Sequence, residues 1–193
     1  LFATVQTDMK RLIAYSGVIQ SGFILSGITS GMNGTSASLF YLAAYLIQLT
    51  GIFIIFSVVT GELSSDFSMN NLKGLFVENK FITICFSIFM FGMAGLPLTS
   101  GFVSKFILIT NLWSYEKYIL VFTLMLSTVV GFYFYLKPIW IAAIEIPEKS
   151  VSKISLKVNE KISIGTLAAS TILIGLFPDV LIDISLWVIQ YYL

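Results

Sequence analysis

Lys105 is the residue whose type and setting most directly suggest chemistry. It sits in "AGLPLTSGFVSKFIL" (94–108), deep in an apolar run and two turns past Pro97. Gly95, Pro97 and Gly101 stand in the middle of that run and weaken a continuous helix. A lysine at the centre of a membrane helix costs about 2.5–3.5 kcal/mol to insert. An amine placed between desolvation and a nearby water or carboxylate can gain and lose a proton, as a proton relay requires. The competing reading is snorkelling, in which the stem lies along apolar surface and the ammonium reaches an interface. Lys105 lies only 11 residues from Glu116, so its sequence position allows that too.

Other polar residues recur at helical spacing. Ser16 and Gln20 are four apart, and Tyr41, Tyr45 and Gln48 follow i, i+4, i+7 on one face. Ser127, Gly131 and Tyr135 share another face, and Ser104 immediately precedes the lysine. Together these residues can line a hydrated path around Lys105. Ordinary interhelical packing also enriches small and polar residues, so the spacing alone leaves both readings open. The apolar runs contain no Asp or Glu, so a complete proton path needs partner charges. The chain has no histidine and a single cysteine, Cys85. It therefore has no disulfide framework, CxxC pair or metal-ligand cluster, and no redox or metal chemistry is expected on it.

The elements that must hold these residues are membrane helices. The chain has 193 residues, 57% hydrophobic and 11% charged, with a mean hydropathy of +0.93. Soluble domains carry about 25% charged residues. A net charge of +1 gives no reason to expect nucleic acid. No cleavable signal peptide shows at "LFATVQTDMKR", where the charges follow a short apolar stretch. Spans are expected at 12–29, 38–60, 81–113 (broken near 95–101), 118–141 and 161–177, with an amphipathic piece at 179–192. Residues 30–37, "SGMNGTSA", read as a turn, and Lys137–Pro138 as the end of the fourth span's regular part.

The run 81–113 would make a helix of about 50 Å, against a hydrocarbon core of about 30 Å. Either two spans meet at Pro97 or one crossing is interrupted. Charge placement favours one crossing. Lys10, Arg11, Lys73, Lys80, Lys149, Lys153, Lys157 and Lys161 then share one side, with Lys117 on the other. The expectation is an all-α integral membrane protein of five transmembrane helices, the third long and discontinuous, N-terminus inside and C-terminus outside. Irregular backbone at membrane depth marks ion and substrate sites in transporters.

Four stretches carry a resemblance. "QTDMKRLIAYSGVIQSGF" (6–23) is similar to the signature of the antiporter-like subunits of respiratory complex I. "LFYLAAYLIQLTGIFIIF" (39–56) and "GMAGLPLTSGFVSKFILI" (92–109) most resemble subunit 2 of NADH:ubiquinone oxidoreductase, the N subunit of bacteria. "STVVGFYFYLKPIW" (127–140) is similar to its next helix. The resemblance implies about fourteen helices in two inverted repeats, each with a broken helix carrying a lysine. This chain resembles only the last five helices, and Lys105 falls on the lysine of the broken twelfth. Where the family motif often reads Ser-x-x-His after Tyr-Ser, this chain has Gln20, which can hold a water by hydrogen bonds but cannot titrate.

The resemblance therefore implies the C-terminal part of a split subunit 2, contributing to proton translocation coupled to NADH oxidation and ubiquinone reduction. The N-terminal helices would lie on a separate chain, beside other membrane-arm subunits and lipids. FMN, iron–sulfur clusters and ubiquinone would reside elsewhere in the complex, with no cofactor on this chain. The abundance of Ile, Phe and Tyr hints at an AT-rich genome and hence the mitochondrial inner membrane. Two alternatives remain: a monovalent cation/proton antiporter subunit, whose sequences share the motifs, and a structural remnant.

Overall fold

The structure, a computed structural model, describes residues 2–60, 68–145 and 154–192. Among them the regular secondary structure is helical. The helices are α1 (Met9–Ile28), α2 (Gly31–Thr60), the short α3 (Leu75–Glu78), α4 (Lys80–Ala94), α5 (Ser100–Ser114), α6 (Tyr118–Ile144), α7 (Val158–Leu176) and α8 (Asp179–Tyr192). Two 3₁₀ turns, Phe2–Val5 and Met69–Leu72, flank this core.

Local chemistry sets the helix ends. Asp8 caps α1 by accepting the Arg11 backbone N–H at 2.9 Å. Asn79 does the same for α4, accepting from the Phe81 and Ile82 N–H groups at 3.1 and 3.2 Å. Thr99 caps α5 by accepting from Phe102 N–H. The expected turn at 30–37 is instead mostly helix, because a reversal at Thr29–Ser30 and a positive φ at Gly31 (68°) complete the corner. The polar residues that follow stay helical by bonding back to carbonyls. Thr35 donates to Gly31 O at 3.0 Å, and Ser38 to Gly34 O at 3.0 Å and Ile24 O at 2.7 Å. α6 likewise runs through Pro138 to Ile144 rather than ending there. Proline costs that helix one backbone donor, but its apolar ring is buried.

α2 is the central element, packing against α1, α4, α5, α7 and α8. The larger apolar cluster joins α1, α2, α4, α6 and α7 around Phe56, Phe86, Phe89 and Phe134. A second one joins α1, α2, α5 and α6 around Phe23, Tyr41, Leu108 and Leu112. Outside the bundle, Lys73 pairs with Glu145 at 3.2 Å, and Asn79 Nδ2 donates to Ile154 O at 3.1 Å. These contacts bind the α2–α4 connection to the segments flanking α6 and α7.

Two helices, α2 and α6, are each long and apolar enough to cross a bilayer, and α7 with α8 would add a third if that pair, bent by 84°, forms one span. By length and composition alone, the described residues thus hold two or three candidate crossings, and the expected five are not established by that measure. α4 and α5 have 15 residues each; helices of that length reach about 22 Å, short of a core of about 30 Å. The expected third span is two helices separated by residues 95–99. Lys149 and Lys153, used in the charge-asymmetry reading, lie outside the described residues.

Candidate functional site

The site begins with the carbonyls at the end of α4. A helix end leaves its last four C=O groups without intrahelical donors. Gly95, at φ 86°, turns the chain so that Leu96 N–H reaches Phe91 O at 3.0 Å and Gly95 N–H reaches Gly92 O at 3.0 Å. That pair of bonds is a Schellman closure, and it leaves Met93 O and Ala94 O. In a continued helix Met93 O would receive the N–H of residue 97, but residue 97 is proline and has none. Lys105 supplies both missing donors. Its Nζ lies 2.9 Å from Met93 O and 3.0 Å from Ala94 O. The lysine of α5 thus completes the end of α4, where the helix dipole also favours a cation.

Lys105 is 7% exposed, so its amine turns inward instead of snorkelling. The Phe23 ring lies beneath it, 5.3 Å from Nζ to centroid. Glycines allow this closeness. A Cβ on Gly95 would come within 3.0 Å of Lys105 Cδ, and a Cβ on Gly101 would overlap the Gly92 carbonyl. Gly101 therefore lies within the first turn of α5 as a packing contact against α4, not within the break.

Beside the lysine runs a buried polar network. Gln20 Nε2 donates to Tyr135 Oη at 2.9 Å and approaches Met93 O at 3.4 Å. Tyr41 Oη donates to Gln20 Oε1. Ser16 donates to Ile13 O at 2.8 Å and also contacts the Tyr135 phenol. Gln48 Nε2 donates to Ser100 Oγ at 3.1 Å. Gln20, Tyr41, Tyr45, Gln48, Met93 and Ser104 line a cavity with about 10 Å³ of room for a water's centre, enough for about one water. A larger cavity of about 270 Å³ lies between α5 and α6, lined by Gly95, Lys105, Phe102 and Phe132 among others, and is mostly apolar.

The fold thus brings Ser16, Gln20, Tyr41, Tyr45, Gln48, Ser104 and Tyr135 into one seam next to Lys105. Ser127 does not join it, because its hydroxyl donates to Thr123 O within α6 at 2.8 Å. Sequence reasoning missed Phe23, Ser100 and the two carbonyls of Met93 and Ala94. The helix expected at 161–177 is present as α7, but its approach to the break was not anticipated: Gly175 lies so close to Leu98 and Thr99 that a Cβ there would meet Thr99 C at 2.5 Å. One signal was available: Pro97 stands four residues after Met93, so an orphaned acceptor at that position follows from counting.

A helical bundle around a discontinuous helix, with a buried cation at the break, is an architecture shared with membrane transporters, whose broken helices form substrate and ion sites. The chain belongs to the NADH:quinone oxidoreductase/Mrp antiporter transmembrane family, whose sequence model matches residues 1–131. It is 32% identical to NADH-quinone oxidoreductase subunit N of Nitrosomonas europaea over 190 residues, covering 98% of this chain and 39% of that protein. It is 35% identical to NAD(P)H-quinone oxidoreductase subunit 2 of Prochlorococcus marinus over 154 residues, 78% of this chain and 30% of that one. The chain therefore spans well under half the length of these relatives. Its fold matches a chain of respiratory complex I from Thermus thermophilus at TM-score 0.82, with 21% identity over 98% of this chain and 41% of that one. It also matches a chain of the Mrp complex from Dietzia at TM-score 0.80, with 18% identity over 95% of this chain and 42% of that one.

Proposed function

We propose that this chain is the C-terminal part of a subunit 2 (subunit N) of a proton-translocating NADH:quinone oxidoreductase, and that Lys105 takes part in moving protons. The observation that carries this reading is the ammonium shared between two carbonyls at a helix break and bordered by a polar seam. An amine there has defined acceptors when charged and a one-water cavity close by. The relatives named above, subunits of quinone oxidoreductases, support the choice of complex. The chain supplies no redox group to the reaction; FMN, iron–sulfur clusters and ubiquinone belong to other subunits in this proposal. Five crossings, with Lys10, Lys73, Lys80 and Lys161 on the inner side, complete it.

The helices of the first repeat are proposed to lie on a separate chain within the membrane arm. The intact mass of the polypeptide in the purified complex tests this. A mass near 21.4 kDa supports the split; a mass near two and a half times that, as the 39% coverage of the relative implies, refutes it. The proposed location is the mitochondrial inner membrane, on the AT-rich composition. The relatives reported above are bacterial and cyanobacterial, and membrane fractionation tests the proposal. The function is tested by Lys105→Met in the assembled complex: the reading requires proton translocation to fall while NADH oxidation continues.

The second reading, a subunit of a monovalent cation/proton antiporter, is favoured by the family description and the Mrp fold match. Copurification with flavin and iron–sulfur polypeptides supports the first reading. A small hetero-oligomer without redox centres supports the second.

A further inference from the structure

We propose that Gln20 is a positioning residue for Lys105: its amide is the stand-by donor to the Met93 carbonyl when the lysine gives up its proton. The inference rests on the proton-translocation reading above.

The geometry sets the problem. The ammonium has three N–H groups. Two reach Met93 O and Ala94 O, and the third side of the nitrogen faces the Phe23 ring. Once a proton leaves, one of these three directions holds a lone pair. Toward the ring it meets the π cloud, and toward a carbonyl it meets another lone pair. Both are repulsive, so the neutral amine must turn and lift from at least one carbonyl. A buried carbonyl left without a donor is expensive.

Met93 O already has a second donor in place. Gln20 Nε2 stands 3.4 Å away, a long bond that can shorten when the amine departs. The rest of the carboxamide is fixed, because Tyr41 donates to its oxygen and its nitrogen also donates to Tyr135. No comparable second donor to Ala94 O is present among the described hydrogen bonds. Met93 also lines the one-water cavity, together with Gln20 and Ser104. The amine thus leaves on the side where a water can receive its proton. The titratable groups facing this point are Tyr41 and Tyr45 on α2 and Tyr135 on α6, while α1 and α5 present Gln20 and Ser104. A glutamine suits the position because its amide supplies a donor and an acceptor at once.

The test uses the assembled complex in sealed vesicles, reading protons translocated per NADH oxidised, NADH:quinone turnover and the amount of complex. Gln20→Met removes the donor at similar length. It is expected to lower translocation about threefold to tenfold with the complex still assembled. Gln20→His restores an N–H donor and is expected to recover at least half. Gln20→Glu keeps both tyrosine contacts but offers no donor and holds the ammonium by charge, so it is also expected to lose translocation. In a Lys105→Met background, Gln20→Met should add no further loss. Parent-like translocation in Gln20→Glu, failure of Gln20→His to recover, or additive losses in the double variant would each overturn the proposal. Normal translocation in Lys105→Met alone would instead overturn the reading on which it rests.

Discussion

Gly95→Ala perturbs the site at its tightest point. At φ 86° an alanine is strained, by about 1–2 kcal/mol for an L residue in the left-handed region. Its Cβ would also stand 3.0 Å from Lys105 Cδ and 3.2 Å from Nζ. The side chain must move a few tenths of an ångström, and Nζ has little slack at 2.9 and 3.0 Å from its acceptors. Losing one of those charge-assisted bonds costs about 1.5–3 kcal/mol. The two effects together come to about 2.5–5 kcal/mol, a large perturbation against typical single substitutions of about 0.5–3 kcal/mol. Gly95→Asn separates them, since asparagine tolerates the left-handed region better while carrying the same Cβ. The assays are thermal inactivation of NADH:quinone activity and proton translocation in vesicles. Gly95→Ala should lower both; Gly95→Asn should recover part of the thermal stability while translocating no better. Parent-like translocation in both variants would refute the placement of the lysine against this glycine.

Gly101→Ala should destabilise the α4–α5 junction more than an ordinary glycine-to-alanine change, because the new Cβ would overlap the rigid backbone carbonyl of Gly92; lowered complex yield and thermal stability would show it. Cys85 is free and buried, so a maleimide should label it only after denaturation, and rapid native labelling would place it wrongly here. The Lys73–Glu145 pair is partly exposed, at 29% and 37%, so Lys73→Ala should change stability by no more than about 1 kcal/mol.

The break was legible because Gly95 and Pro97 are helix-ending residues in a run too long for one crossing. Lys105 was legible because a charge there is anomalous. The role of its charge was harder to see, since carbonyl acceptors carry no sequence label; only Pro97, counted back four residues, pointed to Met93. The corner at 30–37 was misread because Ser, Thr, Asn and Gly suggest a turn, while hydroxyls bonding back to carbonyls let most of that stretch stay helical. Gly101 was misassigned for a related reason. Glycine marks both chain reversal and close approach, and only packing against Gly92 distinguishes them. Ser127 shares helical spacing with Tyr135, yet a serine on a helix can satisfy itself on its own backbone and never reach a neighbour.

The most direct test of the central claim is the number of protons translocated per NADH oxidised by the assembled complex carrying Lys105→Met. Removing the ammonium should lower that ratio while electron transfer to quinone persists. An unchanged ratio, in a complex assembled to parental levels, would show that the buried amine serves only to close the end of α4.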